Sequence, residues 1–102
     1  MQAKDIPDDL FLEVVKYTAP PKHYDLKGWE PGKPLPATGR CPWRFRGDVQ
    51  RNLELVMGRK IPERTFLAKA RKLGRKGLLV GCTECTCRGD YHLATECTDI
   101  CC

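Results

Sequence analysis

Six cations and one acid crowd into residues 61–77, and this stretch constrains the chain more than any other. Pro62 suits a first helical position because its ring fixes φ. Glu63 beside it is favoured by the positive end of the helix dipole, and Gly77 supplies a left-handed stop. Between these signals lie about four helical turns. At roughly 100° per residue, Leu73, Phe66, Ala70 and Leu67 gather in one arc, while Arg64, Lys69, Arg71, Lys72, Arg75 and Lys76 occupy the other. The pattern predicts a helix packed by its apolar arc with its basic arc facing out.

A solvated helix face usually mixes signs to gain pairs four residues apart. This one carries its single acid only in the first turn, so it repels itself unless a polyanion is near. Small Thr65 and Ala68 lie within the basic arc and leave room for close approach. Nucleic-acid binding is therefore the preferred reading, and a solvated face the alternative.

The charge distribution points the same way. Residues 1–39 sum to −1, residues 40–77 to +9 and residues 78–102 to −3, so the net +5 is concentrated in the middle third. At 102 residues the chain builds one modest core, which predicts a single domain over 1–102. No apolar run approaches the roughly 18 residues a membrane span needs, and Met1-Gln2-Ala3-Lys4-Asp5 does not resemble a signal peptide. The expected location is cytoplasmic.

Upstream, Pro7 and two acids precede Leu10, Phe11, Val14 and Val15 at helical spacing, predicting a first helix over 6–17. A Pro-rich loop over 19–42 follows, too long for an ordinary connection and so either a functional arm or a surface insertion. Aromatics within such a loop more often pin it to its own domain than serve a partner. A second helix is expected from a cap at Asp48 to Met57, with Gly58 as its stop. Only four residues, 58–61, then separate it from the basic helix, a helix-turn-helix connection in which the first helix crosses the phosphates and the second lies in the major groove. After Gly77, Leu78-Leu79-Val80-Gly81-Cys82 and Tyr91-His92-Leu93-Ala94-Thr95 flank a turn-rich segment, predicting a β-hairpin over 78–95. The expected core is Leu10, Phe11, Val14, Val49, Leu53, Phe66, Ala70, Leu73, Leu79 and Leu93.

Three helices followed by a hairpin is the order of a winged helix, and the chain resembles the winged helix-turn-helix superfamily over residues 6–18 and 43–95. More narrowly, four segments carry a resemblance to small uncharacterised helix-turn-helix proteins of actinobacteriophages. They are Asp48-Val49-Gln50, then Leu67-Ala68-Lys69-Ala70-Arg71-Lys72-Leu73 with Arg75-Lys76-Gly77-Leu78, then Gly81-Cys82, and finally Cys87-Arg88-Gly89-Asp90-Tyr91-His92-Leu93. The resemblance implies an α+β fold with a C-terminal wing, double-stranded DNA as partner, the helix over 62–76 in the major groove, and residence in a bacterial host's cytoplasm, at the nucleoid when DNA-bound. The Pro-rich insertion between helices 1 and 2 and the acidic wing depart from the superfamily pattern.

The seven cysteines are Cys41 and a cluster of Cys82, Cys85, Cys87, Cys97, Cys101 and Cys102, the last three in a tail over 96–102. Without a secretory signal, reduced thiols or a metal site outrank a disulfide framework. A structural zinc is the minority reading, because a second ligand pair must be picked from the tail; buried or reduced cysteine is preferred and no cofactor is assigned. Arg-Gly-Asp at 46–48 and 88–90 reads as a helix approach and a turn. His23 and His92 have no nucleophile at telling spacing, so no enzyme is expected.

The resulting expectation is a phage-type transcriptional regulator or accessory DNA-binding protein. Arg44, Arg46 and Arg51 would meet phosphates, Arg64, Thr65, Ala68, Lys69 and Lys72 would enter the groove, and Arg71, Arg75 and Lys76 would meet the flanking backbone. The rival is a protein-binding module that inhibits or redirects a host protein.

Overall fold

Both helices that begin with a Pro-acid pair start later than the sequence suggests, the first by two residues and the basic one by one. The computed structural model describes residues 2–19, 30–32, 44–80 and 91–94. A 3₁₀ turn, Ala3–Asp5, leads to α1, Asp8–Tyr17; α2 is Arg46–Met57 and α3 is Glu63–Arg75. Pro7 and Pro62 stand just outside α1 and α3 with extended backbone, and their carbonyls accept the N–H of Phe11 at 3.1 Å and of Phe66 at 3.0 Å. A residue in that place needs no N–H, so proline costs nothing there.

α2 also differs from expectation. Phe45, not Asp48, precedes it, and Asp48 lies in its first turn. An acid is favoured by the dipole at either place, so the residue type alone does not fix the helix start. The stops behave as expected: Gly58 (φ 70°) donates to the Glu54 carbonyl at 2.9 Å. Gly77 (φ 74°) donates to Gly74 at 3.1 Å while Leu78 donates to Leu73 at 3.0 Å, the bond pair of a Schellman motif.

The hairpin is short. β1, Leu79–Val80, pairs antiparallel with β2, His92–Leu93, in the register Leu79 to Leu93 and Val80 to His92. Tyr91 exchanges backbone bonds of 3.0 and 3.1 Å with Arg44. Because successive residues of a strand turn their backbone groups to opposite edges, Arg44 lies on the edge of β2 away from β1. The described chain is thus a small α+β fold of three helices and a hairpin joined by one extended residue before α2. Among the described residues no helix is long and apolar enough to cross a membrane.

Phe66 sits at the centre of the core, its ring centroid 5.2 Å from Phe11 and 6.0 Å from Tyr91. Around these rings lie Ile6, Val14, Val15, Val49, Leu53, Ile61, Ala70, Leu73 and Leu79, all buried. Leu10 and Leu93, expected in the core, pack against it only partly buried.

Arg44 is fully buried, which overturns its expected place on phosphates. Its Nε donates to the Thr18 carbonyl at 2.9 Å and its Nη2 to that of Lys16 at 3.3 Å, so the guanidinium caps the negative end of α1. The Thr18 hydroxyl donates to the Val14 carbonyl at 2.7 Å and accepts from Asn52 Nδ2 at 3.1 Å, tying the end of α1 to α2. Replacing Arg44 with Met keeps most of its aliphatic length but leaves those carbonyls short of donors. A loss of about 1–3 kcal/mol in urea unfolding is expected, as for other buried polar groups stripped of a partner.

One point of the Pro-rich stretch is pinned to the domain. A side chain at Gly32 (φ 90°) would come within 2.8 Å of the Tyr17 ring, so only glycine fits there. Apart from residues 19 and 30–32, that stretch lies outside the described residues, as do residues 81–90, expected as the hairpin tip, all seven cysteines and the tail 96–102.

Candidate nucleic-acid interface

The relation of α3 to α2 is set by a polar stripe along α2. Arg46, Gln50 and Glu54 recur every four residues and share one helix face. Arg46 pairs with Glu63 at 2.7 Å, Gln50 Nε2 donates to the Ile61 carbonyl at 3.0 Å, and Glu54 Oε2 accepts the Ile61 N–H at 2.8 Å. With the Ile61 side chain buried, the turn over 58–62 is clamped on both its backbone groups and its side chain. This stripe was missed as a positioning device, although its four-residue period is visible in the sequence. The Glu63 pair also engages Arg46, a residue expected on phosphate.

The setting of α3 about its own axis decides which side chains reach solvent. Phe66, Leu67, Ala70 and Leu73 are buried as expected, but Thr65 and Lys69 are buried too. Both were expected in a groove and neither is on the surface. Lys69 extends under the start of α1, where its Nζ pairs with Asp8 Oδ1; its side chain is only 5 % exposed. Lys76, expected on flanking phosphates, is held at 2.7 Å by the other oxygen of the same carboxylate. Arg71 is half-buried and engaged in further contacts.

What remains outward is narrower than the basic arc. Arg64, Lys72 and Arg75 are exposed, with half-buried Ala68 between them, and they fall in one strip along α3. Arg59 and Lys60, which the sequence reading did not assign, are exposed in the preceding turn. None of these five cations has an ion-pair partner among the described residues. Arg51 is also exposed but carries an ion pair of 2.8 Å to Asp48 within its own helix.

No family model, curated protein or solved structure matches the chain. Among the described residues no group of three or more His, Cys, Asp or Glu side chains is placed to hold a metal. The exposed groups of this surface are a strip of guanidinium and ammonium donors with a small residue at its middle. Such a strip can donate charge-assisted hydrogen bonds to anions, with Ala68 leaving room at its middle.

Hydrogen bonds first from Lys69 and then from Lys76 lower the pKa of Asp8 from 3.8 to about 2. A carboxylate whose folded pKa is depressed adds stability that is present above the unfolded value and lost as pH falls through the folded one. Wild type should therefore lose its advantage over Asp8→Asn between about pH 4 and pH 2. Urea midpoints of the two proteins across that window check this; a gap unchanged down to pH 2 would contradict the ion pairs.

Proposed function

We propose that the chain is a double-stranded DNA-binding protein of winged helix-turn-helix architecture, acting as a phage-type transcriptional regulator or accessory factor. The carrying observation is the strip of unpaired, exposed Arg64, Lys72 and Arg75 around Ala68, extended by Arg59 and Lys60. Arg64 is the second residue of α3. In this architecture the amino-terminal part of the second helix approaches base edges, while cations farther along meet phosphates. Arg64 and Ala68 accordingly face bases, and Lys72 and Arg75 the backbone. The α2 clamp on Ile61 supports the reading, because base readout needs the reading helix held at a fixed angle. Titration of short duplexes tests it: binding at or tighter than the non-specific range of about 10⁻⁴ to 10⁻⁶ M is expected at physiological salt.

A different face favours a second reading, a module that binds a host protein. Tyr17, Leu55 and Val56 are exposed on α1 and α2, and a groove there is lined by Leu10, Glu13, Val14, Tyr17 and Val56. Full-length protein that ignores duplex DNA but loses a host partner on Val56→Lys would favour it.

A further inference from the structure

Two of the six cations of the basic stretch converge on a single acid far away in sequence. Asp8 is the first residue of α1, and Lys69 and Lys76 lie 61 and 68 residues later. The two contacts are unequal. Lys69 is buried, and α1 is fixed by Phe11, Val14 and Val15 in the core, so the carboxylate cannot follow a moving partner. Lys76 lies at the mouth of α3 with its side chain 52 % exposed, next to Arg75, which is exposed and unpaired.

Resting on the DNA-binding reading, we propose that Asp8 is an intramolecular competitor for phosphate: anchored by Lys69, it holds Lys76 off the DNA backbone and lowers the charge that α3 presents. The carboxylate stays ionised across physiological pH, since its two ammonium partners keep its pKa near 2. A phosphate that recruits Lys76 must break a preformed pair whose geometry is fixed by the core. Neighbouring Arg75 carries no such restraint and meets phosphate freely. Phosphate contacts add affinity to every sequence alike, so withholding one weakens binding everywhere and shortens residence on any one site.

The test uses full-length wild type, Asp8→Asn, Lys76→Ala and the double variant, each titrated against a short mixed-sequence duplex between about 50 and 200 mM salt. Asp8→Asn should tighten binding at low salt several-fold and steepen the log–log salt slope by about 0.9, the signature of one added phosphate contact. Lys76→Ala should leave the slope unchanged, and the double variant should return it to the wild-type value. A slope made shallower by about 0.9 in Lys76→Ala alone would mean that Lys76 already sits on phosphate, and the proposal fails. So it does if Asp8→Asn steepens the slope equally with and without Lys76, because the acid then acts only through its general field. Should Asp8→Asn not fold, the exposed Lys76→Ala change still decides. Wild type that binds no duplex at all overturns the DNA-binding reading itself, an outcome distinct from either failure above.

Discussion

Phe66→Ala is expected to lower the unfolding free energy by about 3–5 kcal/mol, the range for emptying an aromatic site in a packed core. The position justifies the upper part of that range. The ring joins Phe11 of α1 at 5.2 Å and Tyr91 beside β2 at 6.0 Å, so its loss strips contacts from both sides at once. Collapse around the void is resisted by Tyr91, whose backbone is bonded to Arg44, which in turn is fixed to the end of α1. Domains of this size are stable by only about 5–15 kcal/mol, so the variant should show a much lower urea midpoint. A loss below about half a kcal/mol is surface behaviour and would remove Phe66 from the centre of the fold.

The second large effect concerns binding, and it separates base contacts from phosphate contacts. Arg64→Ala should cost about 1–3 kcal/mol on a preferred duplex and much less on a mixed sequence, because hydrogen bonds to base edges are directional. Lys72→Ala and Arg75→Ala should weaken both duplexes equally and reduce the salt slope by about 0.9 each. The three together should lower affinity for the preferred duplex on the order of a hundred-fold or more, one base contact and two phosphate contacts being lost at once. All three side chains are exposed and unpaired, so their removal should leave the urea midpoint near that of wild type. Substitution of buried Thr65 or Lys69 would confuse the two effects by damaging the core.

The same residues show how far the sequence could be read. The helix stops at Gly58 and Gly77 were legible because a positive φ is a local demand that glycine meets. Core membership was legible because helical period sorts side chains by angle. Charge misleads where it conflicts with that angle. Taking Arg64 as zero and about 100° per residue, the fully buried Phe66, Ala70 and Leu73 centre near about 210°, with Lys69 at about 140° and Leu67 at about 300°. Lys69 lies nearer that centre than Leu67 and is buried despite its charge. Its partner Asp8 lies 61 residues away, and no local signal announces such a pair. Arg44 was hidden for a related reason. It precedes Phe45 in extended backbone, but which way its side chain turns depends on Tyr91, 47 positions on, and on the carbonyls that end α1.

The most direct measurement is the salt dependence of wild-type binding to a short duplex, followed by fluorescence anisotropy. With Lys72 and Arg75 on the DNA backbone, and Arg59 and Lys60 available from the preceding turn, about two to four phosphate contacts predict a log–log slope between about −1.8 and −3.6. The Arg64, Lys72 and Arg75 triple alanine variant should flatten that slope. A dissociation constant weaker than about 10⁻⁴ M at about 100 mM salt, or a slope that the triple variant leaves unchanged, would contradict a DNA-reading α3.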